Sequence, residues 1–225
     1  MQQFLSGSYL AVCMRSTVLL LLVFVLPKAF FAQKVFLEPF GGYQIDINNS
    51  KTRLVNSGLQ LAFVFKKQKY EILLQVQRSW PQSARYTDSA FTVNPNLPLY
   101  TAAPKTLSAS SFSFAVGHRI KIAGRKTNNS FFVKAFTGIT DQKTTVAYQY
   151  DKSNYIILNP DQTIEHAGIY VSGGFEYMRK FAHSRFFAEL NFSSPPSGTI
   201  KYSASFNLVA PVSFNVGYSI QLSKR

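Results

Sequence analysis

Apolar and small polar residues alternate one by one along most of this chain, and no other feature of the sequence constrains the fold as strongly. The pattern is clearest near the C-terminus, where every second residue from Val212 to Leu222 is apolar and the residues between them are Ser, Asn, Gly or Gln. A period of two places successive side chains on opposite faces of a β-strand. Such stretches recur about eight times after Gln33, without sustained helical periodicity, so the sequence predicts an all-β fold.

The alternating stretches have the length of membrane-crossing strands. The hairpin from Leu59 to Val76 is nearly as regular as the C-terminal stretch. Most stretches are close to the ~9–11 residues that a tilted strand needs to cross a bilayer. The remaining apolar sets are Phe131, Val133, Ala135 and Ile139; Ala167, Ile169, Val171, Phe175 and Tyr177; Phe186, Ala188, Leu190 and Phe192; and, more weakly, Val35, Leu37, Tyr43 and Ile45, and Phe112, Phe114 and Val116.

Alternation alone leaves open which face of the wall meets water. A soluble barrel would expose the second face, but that face is mostly Gly, Ser, Gln and Asn and carries large side chains such as Phe36, Phe132 and Phe187. The apolar face is free of charge, as lipid requires, because a Lys or Arg at mid-depth costs about 2–4 kcal/mol. We therefore predict an eight-stranded antiparallel transmembrane up-and-down β-barrel, apolar outside and mixed-polar inside. A soluble periplasmic lipocalin-like carrier is the alternative.

The N-terminus has the pattern of a secretory signal. Arg15 precedes the apolar run from Val18 to Leu26, and the small residue Ala32 offers a cleavage site. The run is too short for a membrane-spanning helix. We expect a signal peptide at 1–32, a barrel domain at 33–225, and residence in the outer membrane.

Two features of the leader bear on processing. The only cysteine, Cys13, precedes the apolar run, so a lipoprotein anchor is not expected, and the mature chain would have no disulfide and no Cys-ligated metal. Met14 is an alternative start to Met1.

The predicted connections alternate between short and long, as in barrels with short periplasmic turns and longer outer loops. Aromatic residues flank the short turns and predict an interfacial girdle of Phe65, Tyr70, Phe131, Tyr177 and Phe186. The short connections are Lys66–Lys69, Lys121–Asn129 and Met178–Arg185, and the long ones are Asp46–Asn56, Ser79–Lys105, Thr140–Glu165 and Ser193–Ala210.

Basic residues concentrate at the end with the short turns. Without the leader, which holds Arg15 and Lys28, 22 of the 24 bases and all 10 acids remain, and thirteen of those bases fall at this end. A basic rim would face anionic headgroups, at roughly 1 kcal/mol per residue, or an anionic periplasmic partner; solubility and insertion orientation are the plainer explanation. A secreted chain would not meet nucleic acid. The thirteen are Lys34, Lys66, Lys67, Lys69, Arg119, Lys121, Arg125, Lys126, Arg179, Lys180, Arg185, Lys224 and Arg225.

Charged residues are also predicted inside the barrel. Eight strands enclose just enough room for side chains to fill, and buried acids there need basic partners or water. The sequence therefore predicts a plugged, hydrogen-bonded lumen that does not conduct. By parity Glu38, Glu71, Glu176, Glu189 and Lys134 point inward, with Lys66 and Arg119 near the lower rim.

We predict no catalytic, cofactor-binding or metal-binding residue. His118, His166 and His183 lack metal-ligand spacing, and no Gly-rich phosphate loop occurs. The alternative is a lipid-modifying hydrolase at the outer rim, because His166 falls at the outer end of its strand. Its nucleophile would be Ser111, Ser193 or Ser213, which local sequence does not distinguish.

Aromatic residues of the two longest predicted loops are candidates for binding glycan or protein. Packing of the loop on itself is the plainer explanation. These residues are Trp80, Tyr86, Tyr100, Tyr148, Tyr150 and Tyr155.

Several segments together resemble one family. They are Phe31-Ala32-Gln33, Pro39-Phe40-Gly41-Gly42-Tyr43, the hairpin Gly58 to Gln77, Gly173-Gly174-Phe175-Glu176-Tyr177 running through a basic turn into Phe186-Phe187-Ala188-Glu189, and Phe214-Asn215-Val216-Gly217-Tyr218. In these the chain resembles the PorT-like outer membrane protein β-barrel family typical of Bacteroidetes, from Lys34 to Leu222.

The resemblance implies outer-membrane residence, and some members of the family assist protein secretion, but it carries over no functional residue. We expect a non-enzymatic structural, binding, adhesion or secretion-assisting role in the cell envelope. The expected partners of the protein are outer-membrane lipids and the barrel-assembly machinery, and its expected oligomeric state is a monomer. Such chains commonly end in an aromatic residue, whereas this one ends Leu222-Ser223-Lys224-Arg225, so assembly would depend on Tyr218, Ile220 and Leu222.

Overall fold

A computed structural model describes residues 34–45, 53–65, 69–81, 84–124, 128–158, 162–181, 184–194 and 212–224. The predicted signal peptide with Cys13 lies outside the described residues, as do most of the predicted loop Ser193–Ala210 and the turn residues Lys66, Lys67, Arg125 and Lys126. Within the described residues there is no helix whose length and hydrophobicity would let it cross a bilayer.

The described residues form ten strands, and the alternating stretches of the sequence account for eight of them. The strands are β1 (Lys34–Ile45), β2 (Arg53–Val64), β3 (Tyr70–Pro81), β4 (Ala84–Thr92), β5 (Tyr100–Ala123), β6 (Asn129–Tyr148), β7 (Tyr155–Ile156), β8 (Gln162–Lys180), β9 (Ser184–Ser193) and β10 (Val212–Lys224).

Eight of these strands pair edge to edge in a closed antiparallel ring. The order is β1–β2–β3–β5–β6–β8–β9–β10, and β10 pairs back onto β1. The predicted up-and-down barrel is therefore confirmed. We call the end at which β2–β3, β5–β6 and β8–β9 connect the turn end, and the opposite end the hairpin end. At the hairpin end β4 pairs with the outer part of β5, and β7 pairs with β4.

The apolar face of the wall points outward and the polar face points into the lumen, as predicted. Val171, Phe175 and Phe214 are more than half exposed, whereas Glu38 and Asn215 are fully buried. A lipocalin-like carrier would bury the apolar face instead. The arrangement is therefore that of a barrel whose outer belt meets lipid.

Aromatic side chains surround the turn end of this belt, where the sequence predicts a girdle. Tyr70, Phe131 and Phe186 are exposed there. The rings of Phe131 and Tyr177 lie 5.3 Å apart, and the Tyr177 hydroxyl donates a hydrogen bond of 3.0 Å to Asn129 Oδ1. His118 also faces outward, between Val116 and Ile120, a polar interruption of the belt that the apolar sets do not indicate.

Three strands continue far beyond the belt, so the prediction of strands about ten residues long is wrong for them. β5 has 24 residues, β6 has 20 and β8 has 19. On the outward face the belt ends where the exposed charges Asp141, Lys143 and Glu165 begin. The outer half of β5, from Tyr100 to Ser111, is about 40 Å of extended chain.

Two of the predicted long loops are largely strand, so the prediction of loops there is wrong. Ser79–Lys105 contains the end of β3, all of β4 and the start of β5, while Thr140–Glu165 contains the end of β6, β7 and the start of β8. Asp46–Asn56 is shorter than predicted because β2 begins at Arg53. We call β4, β7 and residues 100–111, 141–148 and 162–166 the protruding sheet.

Glycines on the inner face make room for phenylalanine rings. Each of three inward-facing glycines pairs with a phenylalanine on a neighbouring strand, and a Cβ atom on the glycine would overlap the ring. This packing explains why large aromatic residues occur on the polar face of the sequence pattern. The pairs are Phe40 with Gly58, Phe136 with Gly117, and Phe187 with Gly217.

Candidate functional site

A layer of ion pairs fills the lumen near the turn end, and Arg119 on β5 is its centre. Its guanidinium donates to Glu38 at 2.8 and 3.0 Å and to Glu176 at 2.8 Å. It also donates through Nε to Glu71 at 2.8 Å. The three glutamates come from β1, β3 and β8, so one fully buried cation ties three strands together across the barrel.

Arg185 on β9 lies next to this centre. Its guanidinium contacts Glu38 at 3.4 Å and Glu71 at 3.3 Å, and its Nε donates to the Ser219 hydroxyl at 3.2 Å. The guanidinium also stacks on the Phe36 ring, 3.4 Å from the ring centroid. Two arginines therefore share two carboxylates, which leaves each acid with more than one positive neighbour.

Lys134 on β6 extends the layer towards the hairpin end. Its ammonium lies 3.0 Å from Glu176 and also binds Glu189. The side-chain amides of Asn191 and Asn215 donate to Glu189 at 2.9 and 2.8 Å. Glu189 therefore has both a cation and two amides as neighbours, and Lys134 links it to Glu176.

The layer makes the lumen a filled interior at this depth. Four buried acids, Glu38, Glu71, Glu176 and Glu189, meet the three bases Arg119, Lys134 and Arg185. Buried charges are tolerated only with such pairing and hydrogen bonding. A buried apolar cluster packs nearby, made of Phe40, Phe132, Met178 and Phe187. Ion pairs and rings together fill this part of the barrel.

The sequence pattern predicts most of this layer. The four glutamates and Lys134 point inward as expected, and Arg119, expected near the lower rim, lies near the turn end with its side chain fully buried. Arg185, which the sequence places in a basic turn, is instead a member of the layer. Its parity with Phe187 and Glu189 on β9 is the signal that indicates an inward side chain.

A pocket of about 130 Å³ opens between this layer and the turn end of the barrel. Four basic side chains, from β1, β5, β8 and β9, line it, and Glu71 is the one acid among its lining residues. The lining residues are Lys34, Phe36, Val64, Glu71, Lys121, Phe132, Lys180, Phe181, Ser184, Arg185 and Gln221.

The protruding sheet carries the second polar cluster. Lys105 Nζ lies 3.7 Å from Asp88 and 5.5 Å from the centroid of the Tyr148 ring, and the Tyr148 hydroxyl donates to Asp88 Oδ2 at 3.3 Å. The rings of Phe91 and Tyr100 lie edge to face at 5.1 Å. The aromatic residues predicted to lie in loops are therefore mostly on strands, and part of them pack on their neighbours.

Exposed charges beyond the belt interact locally. A hydrogen bond of 2.9 Å and opposite charge raise the pKa of Lys143 and lower that of Glu165. In the connection after β6, hydrogen bonds from the Asn154 side chain and the Ser153 backbone lower the pKa of Asp151. These contacts lie on the surface of the protruding sheet and in the connection between β6 and β7.

The hydrolase alternative gains no assembled site from the strand register. Ser111 and His166 both pair with Gln142, on opposite sides of β6, so about 10 Å separates their backbones. Ser193 pairs with Ser172, and Ser213 pairs with Gln44, far along the wall from His166. In the described part of the chain, no group of three or more His, Cys, Asp or Glu side chains is arranged to hold a metal ion.

The fold of this chain is similar to solved structures, although comparisons of its sequence find no related family or protein. No family model matches the chain, and no curated protein is significantly similar to it. A major outer membrane protein from Thermus thermophilus gives a TM-score of 0.51 at 10% identity, over 84% of this chain and 99% of that chain. The fold is that of an outer-membrane β-barrel.

Two further structures have lower scores. The N-terminal β-barrel domain of OprF from Pseudomonas aeruginosa gives a TM-score of 0.47 at 11% identity, over 85% of this chain and 98% of that chain. Ail from Yersinia pestis, solved in complex with the heparin analogue sucrose octasulfate, gives 0.44 at 8% identity, over 84% and 97%. At these identities the likeness concerns the fold, and the resemblance to the PorT-like family has no matching family model.

Proposed function

We propose that this protein resides in the outer membrane, where it has a structural, binding or adhesive role and no catalytic activity. The observation that carries the proposal is the combination of a filled lumen with a sheet that continues beyond the lipid-facing belt, where outer β5 alone has about 40 Å of extended chain. A barrel built for conduction would keep its interior open, whereas this interior holds four buried acids and three buried bases.

The protruding sheet is the part of the molecule that we assign to binding. Apolar side chains are exposed at its tip, among them Leu99, Tyr100 and Leu158. Exposed apolar groups that cluster on a soluble surface commonly mark contacts with other molecules. With the turn end in the periplasm, this tip would be the outermost point of the protein.

We propose that residues 1–32 direct secretion and that the chain is a PorT-like barrel, on the strength of the segments quoted above. We further propose that the protein is a monomer and that it assists secretion. Inner-leaflet lipids would surround its basic turn end, and β10 would carry the signal that the barrel-assembly machinery recognises. The outward exposure of Tyr218, Ile220 and Leu222 supports the assembly signal, because they are accessible for recognition.

Cysteine labelling on living cells tests both residence and orientation. The one native cysteine lies in the predicted leader, so introduced cysteines report alone. Asn96→Cys lies at the exposed connection between β4 and β5, and Asn128→Cys lies at the exposed turn before β6. We expect a membrane-impermeant maleimide to label Asn96→Cys on intact cells, and Asn128→Cys only after the outer membrane is opened.

The same variants separate the other outcomes. Labelling of Asn128→Cys alone on intact cells would show that the turn end faces outward, opposite to the proposed orientation. Recovery of both variants in the soluble periplasmic fraction, without the heat-dependent gel mobility of a folded barrel, would refute outer-membrane residence.

A further inference from the structure

The pocket at the turn end differs from the ion-pair layer beside it in its charge balance. Lys34, Lys121, Lys180 and Arg185 line it from four strands around the ring. Its one acid, Glu71, already bonds to Arg119 and Arg185 within the layer. Arg185 is paired with Glu38 and Glu71 in the same layer, so the positive charge that the layer does not neutralise comes from the lysines, Lys34 and Lys180 among them.

The lysines of the pocket are held close together in a partly enclosed space. Lys34 and Lys180 are half-buried, and within the described residues neither makes an ion pair with an acid. Like charges that share a site, partly shielded from water, repel each other and favour binding of an anion between them. A pocket of about 130 Å³ admits a compact anion rather than an extended chain.

We infer that this pocket binds a phosphate group. A phosphate monoester carries about −1.5 to −2 charges at pH 7 and three strong acceptor oxygens. It therefore matches several converging cations better than a single carboxylate does. Lysine and arginine are the usual cationic partners of phosphate. Ser184 and Gln221 add polar groups, and Phe36, Phe132 and Phe181 would contact the organic part of an ester.

The direction of the lining residues bears on the source of the phosphate. Lys34, Lys121, Lys180 and Arg185 share the strand parity of Phe36, Arg119, Met178 and Phe187, which are buried in the lumen. The pocket thus opens along the barrel axis, where a soluble phosphate compound enters directly. A phospholipid headgroup would have to bend around the rim. The site itself does not depend on the function proposed for the protruding sheet.

The test measures phosphate binding to the refolded protein in an uncharged detergent without phosphate groups. Isothermal titration with inorganic phosphate at constant ionic strength should show saturable binding. Acetate should bind more weakly. Lys180→Gln should weaken phosphate binding about tenfold, the usual loss for one charged hydrogen bond. Lys34→Gln provides a second variant if Lys180→Gln does not fold.

Lys152→Gln is the matched control, because it removes the same charge from the exposed connection at the far end of the molecule. Its binding should equal that of the parent protein. No saturable signal up to about 10 mM phosphate, where a 1 mM site would be largely filled, would overturn the inference. An equal loss in Lys152→Gln, or acetate binding as tight as phosphate binding, would do so too.

Nanodiscs then distinguish the two sources. If phosphatidylglycerol discs abolish binding of inorganic phosphate and phosphatidylcholine discs do not, the lipid headgroup occupies the pocket. If binding is equal in both discs, the occupant is a soluble phosphate. Either result supports a phosphate site and identifies its origin.

Discussion

Arg119 links several strands of the barrel through ion pairs in the lumen. Its side chain is fully buried and contacts Glu38, Glu71 and Glu176, each from a different strand. Replacing a whole buried ion pair by apolar groups is often harmless, but removing one partner leaves the other charges without compensation. In this lumen the loss of Arg119 would leave three acids to share Arg185 and Lys134.

We therefore expect Arg119→Met to lower the free energy of unfolding by about 3–5 kcal/mol. Urea denaturation of the protein refolded in detergent or vesicles measures this change. Arg119→Lys should lose less, since it keeps the charge but not the two-sided hydrogen bonding. The control is Lys143→Gln, which breaks an exposed pair with Glu165 and should leave the midpoint unchanged. Equal midpoints for Arg119→Met and the control would show that the layer does not stabilise the barrel.

At the scale of residues, parity predicts direction but not depth. The four glutamates and Lys134 could be placed inward because their strands alternate without interruption. Arg119 and Arg185 lie close to the turns in sequence, and the stagger of the strands around the ring brings both side chains to Glu38 on β1. The sequence contains no local mark of that stagger.

At the scale of elements, the sequence pattern underestimates the length of three strands. Inside the bilayer one face of a strand meets lipid and the other meets the lumen, so the sequence alternates. Beyond the belt only scattered side chains are buried, among them Ala103, Leu107 and Val146, and the Ser, Thr, Pro and Tyr residues of β4 and outer β5 show no regular alternation. The pattern therefore predicts the membrane-crossing part of each strand and misses the protruding sheet.

The packing of a phenylalanine ring over a glycine of the neighbouring strand gives a second prediction at the scale of elements. Gly58 on β2 lies under the Phe40 ring of β1, and a Cβ atom there would overlap the ring. Gly58→Ala should cost about 1–3 kcal/mol of unfolding free energy, because the lumen has no room to move the ring. Gly173→Ala is the control, since a Cβ at that position meets only ordinary contacts. A stability loss of the same size in both variants, measured by urea denaturation, would contradict this packing.

The whole molecule has two different ends around one closed wall. The turn end carries the basic pocket beneath the ion-pair layer, and the hairpin end carries the protruding sheet. The sequence predicts the closed ring, the direction of its faces and the basic turn end. The pocket and the sheet depend on how strands are staggered around the ring, so they emerge only from the three-dimensional arrangement.

The free energy of folding into phospholipid vesicles tests the lipid-facing belt most directly. Val171→Lys places a charge on the outward face of β8 within the belt, and Ala147→Lys places one on the same face of the neighbouring β6 beyond it. We predict that Val171→Lys loses about 2–4 kcal/mol and that Ala147→Lys stays within about 0.5 kcal/mol of the parent protein. Equal losses in the two variants, or a larger loss in Ala147→Lys, would contradict a lipid-facing wall that ends below the protruding sheet.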